Sequence, residues 1–173
     1  MSYDDHAEIL AEYQKRLIAL QRRYTFGEAA MRLAIEQAER AARDGEVPIG
    51  AVVTEGANII AAAHNLPIGL RDPTAHAEIL AIRDAAAHRG EYRLPDTSIY
   101  VTIEPCVMCV GAIINARIAK VYYGARDEKA GAMGSVYDIG RDGRLNHRME
   151  VYGGIMGAEC AQVLQDFFAS RRG

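Results

Sequence analysis

The chain has only three cysteines, no long apolar run and no excess of positive charge. Three cysteines, two of them in one Cys-x-x-Cys pair, cannot build a disulfide framework and fit a reducing compartment. No stretch approaches the roughly 20 apolar residues needed to cross a bilayer. The first residues, Met1-Ser2-Tyr3-Asp4-Asp5, are acidic and lack the apolar run of a secretory leader, so the expected location is the cytoplasm. Twenty Lys and Arg against 23 Asp and Glu give a formal net charge of -3, which argues against a broad electrostatic footprint for nucleic acid. The balance is uneven. Residues 111–173 carry nine basic against seven acidic side chains, and residues 1–110 carry eleven against sixteen. A small cationic contact surface in the C-terminal third is therefore permitted, without a long basic tail beyond Arg171-Arg172-Gly173.

Half of the 173 residues are hydrophobic, enough for one globular domain. Residues 1–24 read as an N-terminal extension: Ile9, Leu10, Tyr13, Leu17 and Leu20 recur at near-helical spacing among charged residues. The remaining residues, 25–173, form the expected domain. Thr25 with Glu28 three positions later predicts a capping box opening a helix to Arg43, and Gly45 ends it. Ile49–Thr54 and Asn58–Ala63 read as strands joined at Glu55-Gly56, followed by a loop from His64 to Pro73. Thr74 is the expected cap of a second helix, Thr74–His88. A strand at Ser98–Ile103, a helix opened by Pro105 over Cys106–Asn115, and a short strand at Ala119–Tyr123 follow. Residues 124–146 show little regular pattern. A strand at Met149–Tyr152 and a helix at Ala158–Arg171 close the chain. Alternation of helices with strands predicts a three-layer α/β arrangement around one sheet.

One chemical set stands out. His76-Ala77-Glu78 lies about thirty residues before Pro105-Cys106-Val107-Met108-Cys109. Zinc takes four tetrahedral ligands, and a catalytic zinc takes three from protein and leaves the fourth position for water. His76, Cys106 and Cys109 supply three, and a helix start helps to hold thiolates deprotonated. Glu78, two residues from a ligand, is placed for proton transfer. A structural zinc would want a fourth protein ligand; Cys160, His64, His88 and His147 are available, but none sits in a second paired motif. Cys160, among Ala158, Ala161 and Leu164, reads as a buried core cysteine. His6-Ala7-Glu8 repeats the His-x-Glu pattern without strand, proline or cysteine context, and reads as coincidence.

His-x-Glu followed by Pro-Cys-x-x-Cys is the signature of zinc-dependent nucleobase deaminases. The chain resembles the tRNA adenosine deaminases of bacteria within that superfamily. The matching runs are Glu46–Val52, Asp72–Ile79, Tyr100–Cys106, Gly124–Asp127, Asn146–Arg148 and Glu159–Ala161, spanning about residues 25–170. The resemblance implies a cytidine-deaminase-like α/β/α fold with a central five-stranded mixed sheet. It implies one zinc on His76, Cys106 and Cys109, Glu78 as the acid/base, and deamination of adenosine to inosine at wobble position 34 of the anticodon loop. Asn65 and the Ala77 backbone N–H would bind the base, and Asp127 would meet the neighbouring nucleotide, where a carboxylate can accept from a ribose 2′-OH. His147 would match an Asn-His pair beside the cleft, though a packing or hydrogen-bonding histidine is as good a reading. Phe168 could stack a base, and Arg126, Arg144, Arg148, Arg171 and Arg172 could meet phosphates; core or surface roles are the simpler readings. A homodimer is also implied. A deaminase of free bases or nucleosides, such as guanine or cytidine, would share the zinc set and differ in its recognition loops. A zinc-binding interaction module without catalysis is the alternative from another class.

Overall fold

The computed structural model describes residues 3–171, with the backbone alone for residues 3–6. Eleven elements follow in order: α1 (Tyr3–Leu20), α2 (Phe26–Arg43), β1 (Gly50–Glu55), β2 (Asn58–His64), α3 (Pro67–Leu70), α4 (Ala77–Arg89), β3 (Thr97–Ile103), α5 (Val107–Ala116), β4 (Lys120–Ala125), β5 (Glu150–Gly153) and α6 (Gly157–Ser170). The five strands form one sheet in the order β2-β1-β3-β4-β5. β1 runs antiparallel to β2 and β3, whereas β3, β4 and β5 are parallel, so the sheet is mixed as expected.

Period-two alternation divides the sheet between two layers of helices. Ala51, Val53, Ile99, Val101 and Val121 pack with Ala77, Ala81 and Ala85 of α4 and with Val110 and Ile113 of α5. Val52 and Tyr100 point the other way, into a cluster with Leu33 and Ala34 of α2, Cys160 of α6, and Leu10, Tyr13 and Leu17 of α1. This is the predicted three-layer α/β/α arrangement. Gly50 shows how closely α2 lies on the sheet: a Cβ there would meet the Ala34 carbonyl and come within 2.6 Å of Ala38 N. Gly124 of β4 has the same role against α6, where the Cys160 side chain fills the space. Cys160 is accordingly a buried core residue.

The capping box at α2 forms as predicted. Glu28 N donates to Thr25 Oγ1 at 3.3 Å, and Thr25 N donates to Glu28 Oε2 at 2.9 Å. The expected start of the next long helix needs correction. Thr74 does not cap it; its hydroxyl and N–H both donate to Asp72 Oδ1, at 2.6 and 2.8 Å, closing a turn before the helix. α4 begins at Ala77, and His76 holds the extended N-cap position (φ -72°, ψ 153°). Likewise α5 starts at Val107 with Cys106 as N-cap, one residue later than Pro105 suggested. The loop after β2 contains one helical turn, α3, with Pro67 at its first position where no N–H is needed.

Candidate active site

Two helix starts meet at the site. His76 and Cys106 occupy the N-cap positions of α4 and α5, and Cys109 lies in the first turn of α5. His76 Nδ1 is 3.8 Å from Cys106 Sγ and 3.6 Å from Cys109 Sγ. The three ligand atoms lie within 4.8 Å of one another and form, among the described residues, the one such group of potential metal ligands. A tetrahedral zinc with bonds of ~2.3 Å to sulfur and ~2.1 Å to nitrogen has N···S edges of about 3.6 Å. The spacing fits zinc. So does the chemistry: the Cys106 thiol is brought down to about 4, first by its bond with Cys109 and then, against burial, by His76. Cys109 is pushed far up, first by Cys106 and then by burial. Without a cation the two sulfurs share one proton, and a divalent ion allows both to ionise.

The N-cap position of His76 also explains how a His-x-Glu pair can serve one centre. Residues two apart in a regular helix point to nearly opposite sides. His76 is outside the helix with extended backbone, whereas Glu78 is inside its first turn, so the two are not bound by helical geometry. Glu78 is 4% exposed. Burial raises its pKa to about 7, and the Cys106 charge adds to the rise against a backbone bond and His76. A carboxyl group poised near neutrality can take a proton and return it.

Asn65 follows the last residue of β2 and is 4% exposed. Its N–H donates to Ile49 O at 3.0 Å, and its Oδ1 accepts from Ala77 N at 2.8 Å. Asn65 therefore supplies the cap that Thr74 does not. The two expected base-contacting groups, Asn65 and the Ala77 N–H, are bonded to each other, which fixes the asparagine amide with its Nδ2 hydrogens left to donate.

The family model of the MafB19-like deaminases matches residues 27–172. The tRNA-specific adenosine deaminase of Haemophilus influenzae is 47% identical over 151 residues, 87% of each chain. The chain belongs to the tRNA-specific adenosine deaminase family. A solved structure from work on A-to-I editing by tRNA:A34 deaminases superposes with a TM-score of 0.76 at 44% identity, covering 78% of this chain and 98% of the other. A guanine deaminase from Nitrosomonas europaea is similar at 29% identity and a TM-score of 0.69, over 82% of this chain and 84% of its own.

In this deaminase a groove of about 620 Å³ runs beside the C-terminal end of β3, between the segment at Arg126–Lys129 and α6. Ile49, Ile103, Asp127 and Phe168 line it. Phe168 is exposed there, so it is not a core residue. Asp127 Oδ1 accepts from Lys129 N and Ala130 N at 2.9 and 3.1 Å, which makes one carboxylate oxygen a turn former. His147 is placed as a hydrogen-bonding residue, with Nε2 2.7 Å from Ile118 O. Arg126 and Arg144 bond with nearby side chains of their own loops, and Arg171 donates to Gly45 O while lying over the Phe167 ring. Arg172 and the side chain of His6 lie outside the described residues.

Glu104 is the group that sequence reasoning passed over, although it immediately precedes the Pro-Cys-x-x-Cys motif. It is buried and accepts from Asp127 N (3.2 Å), Met133 N (2.9 Å), Ser135 N (3.0 Å) and the Ser135 hydroxyl. Burial alone would raise its pKa; the bonds from Ser135, Met133 and Asp127 outweigh that and hold it low. Glu104 thus ties the Asp127 segment to the strand that leads into Cys106. A Cβ on Gly131 would come within 2.6 Å of this carboxylate, which is why the loop can close over it only with glycine there. The signal was a charged residue in an otherwise apolar strand end.

Proposed function

We propose that this chain is a zinc-dependent hydrolytic deaminase that converts adenosine to inosine at wobble position 34 of a tRNA anticodon loop, releasing ammonia. The observation that carries the reading is the pairing of three zinc-type ligand atoms with one buried carboxyl group, in a chain whose relatives are tRNA-specific adenosine deaminases. His76, Cys106 and Cys109 would hold the metal. Bound zinc would supply a water whose pKa falls from ~16 to near ~7, and so a nucleophile at neutral pH.

The rest is done by side chains. Glu78 takes a proton from the attacking water and delivers it to N1 of the purine as oxygen adds at C6. It then takes the second proton from the hydroxyl now on C6 and passes it to the exocyclic amine; the C6–N bond breaks, the C6 oxygen becomes a carbonyl, and ammonia leaves with hypoxanthine as the product base. Asn65 donates from Nδ2 to a ring acceptor, held in place by the Ala77 N–H and Ile49 carbonyl. Asp127 presents its second carboxylate oxygen to the flanking nucleotide, and Phe168 offers an exposed ring in the same groove. A base in a loop is already partly unstacked, so turning it into a pocket costs less than in a duplex. We place residues 25–173 as the deaminase domain with residues 1–24 as an added helix, and expect a cytoplasmic homodimer; no helix of the described residues is long and apolar enough to cross a membrane.

The test is an inosine assay with zinc-loaded protein on an adenosine-34 anticodon stem-loop, alongside free adenosine, guanine and cytidine. Inosine in the stem-loop alone supports the reading. Turnover of a free base or nucleoside instead would keep the hydrolytic chemistry and overturn the RNA substrate. Zinc bound at one per chain with no ammonia from any of them would mark a non-catalytic module.

A further inference from the structure

The N-terminal helix reaches the base-recognition residue through a line of buried polar contacts. Tyr13 on α1 is 5% exposed, and its ring packs with Leu10 and Leu17 in the core cluster on the α2 side of the sheet. Its hydroxyl oxygen accepts from Gln37 Nε2 at 2.6 Å and from Arg40 Nη1 at 2.5 Å, both on α2. Gln37 is 2% exposed and directs its other amide atom, Oε1, at His64 Nδ1, 3.3 Å away. His64 Nε2 lies 3.3 Å from Asp44 Oδ2, an ion-pair distance when the ring is protonated, while Gln37 is the hydrogen-bonding partner of Nδ1. His64 is the last residue of β2, and Asn65 is next.

Among the described residues β2 is an edge strand, paired on one side with β1 through Gly50↔His64 and with no strand on the other. The strand end is therefore held along one edge by β1 and the Ile49 carbonyl, and from its face by what grips His64 out of the helix layer. Gln37 does so, and its own amide is oriented by Tyr13. Gln14 of α1 secures the same strand further along: it accepts from Ile59 N at 2.9 Å and donates to Ala57 O at 3.1 Å.

We propose that Tyr13 is a positioning residue for Asn65, acting through Gln37 and His64, so that the N-terminal helix sets how the site holds its base. This rests on the reading of Asn65 as the residue that contacts the base. The hydroxyl is the operative group, because without it the buried Gln37 donor has no acceptor and its amide is free to turn away from His64. Phenylalanine keeps the ring and removes only the hydroxyl.

The experiment is Tyr13→Phe, alone and combined with Asn65→Ala, with single-turnover rates and KM on the anticodon stem-loop and zinc content measured for each. Tyr13→Phe should lower kcat/KM about tenfold, the scale of a small misplacement at a reacting centre, with zinc unchanged. In the Asn65→Ala background the same change should cost less than about twofold, because coupled residues are not additive. Amide exchange in the RNA-free protein gives a second readout. The Ala77 N–H, bonded to Asn65, should exchange faster in Tyr13→Phe, while Val110 N–H, bonded to Cys106 O, should not. A wild-type kcat/KM, an equal loss in both backgrounds, or unaltered exchange at Ala77 would overturn the proposal. If the wild-type chain turns over a free base and leaves the stem-loop untouched, the substrate reading fails, and exchange at Ala77 still decides the link.

Discussion

At the scale of single residues, the proposed division of labour at the site is between groups that would hold a metal and one that would move protons. Glu78 has the burial that lifts a carboxyl pKa to about 7, and it lies outside the ligand group of His76, Cys106 and Cys109. Glu78→Ala should therefore retain one zinc per chain and lose turnover by at least ~10²-fold, the lower range for removing a general acid–base group. Metal content and inosine formation on the same preparation check both halves; wild-type turnover in the variant would remove Glu78 from the mechanism. Glu104 contrasts with it. Both are buried carboxyl groups, yet Glu104 accepts four hydrogen bonds and is held ionised, whereas burial dominates at Glu78. One is fitted to hold a loop still, the other to change protonation state.

At the scale of elements, α1 is fastened to the domain by its buried face. Leu17 is fully buried between α1 and the α2 layer, and Arg16 pairs with Glu36 across the same seam. Leu17→Ala should destabilise the fold by about 3 kcal/mol, within the range for emptying a packed core position. Urea unfolding measures it, and a loss under ~1 kcal/mol would mean that α1 is only loosely docked. The elements also show which parts of the molecule could be read from sequence. The Thr25–Glu28 box was legible because both partners lie within one helical turn. β1 and β3 were legible as short, mostly apolar runs because both faces of the sheet are covered. The start of α4 was not: Asp72 captures Thr74 locally, and the group that caps Ala77 comes from Asn65, twelve residues earlier. The grouping of His76, Cys106 and Cys109 was legible from residue type and spacing alone, although they could not reveal that two of its members are helix N-caps. Glu104 remained silent because its partners lie 23–31 residues downstream, in a stretch without periodicity.

At the scale of the whole molecule, the triad joins α4 to α5, so metal binding should couple to the stability of the layer that they form. Removing zinc with a chelator should abolish inosine formation and lower the thermal midpoint by several degrees, with both restored by added zinc. An unchanged midpoint and activity in protein verified as metal-free would refute a zinc centre. The net charge of -3 offers no overall attraction to RNA, so the proposed RNA contact would have to draw on local cations, of which Arg126 and Lys129 line the groove. On the opposite face of the sheet, Tyr100, Tyr122 and Tyr152 stack across β3, β4 and β5, with ring centroids 4.6 and 5.0 Å apart. Because the chain has no tryptophan, its near-ultraviolet circular dichroism comes chiefly from tyrosine, and this ladder fixes three of the nine rings in a chiral stack. Loss of that band would follow the melting of tertiary packing in the parallel half of the sheet, while the far-ultraviolet signal follows the helices. The protein thus carries a built-in spectroscopic reporter, and none need be attached to watch that region come apart.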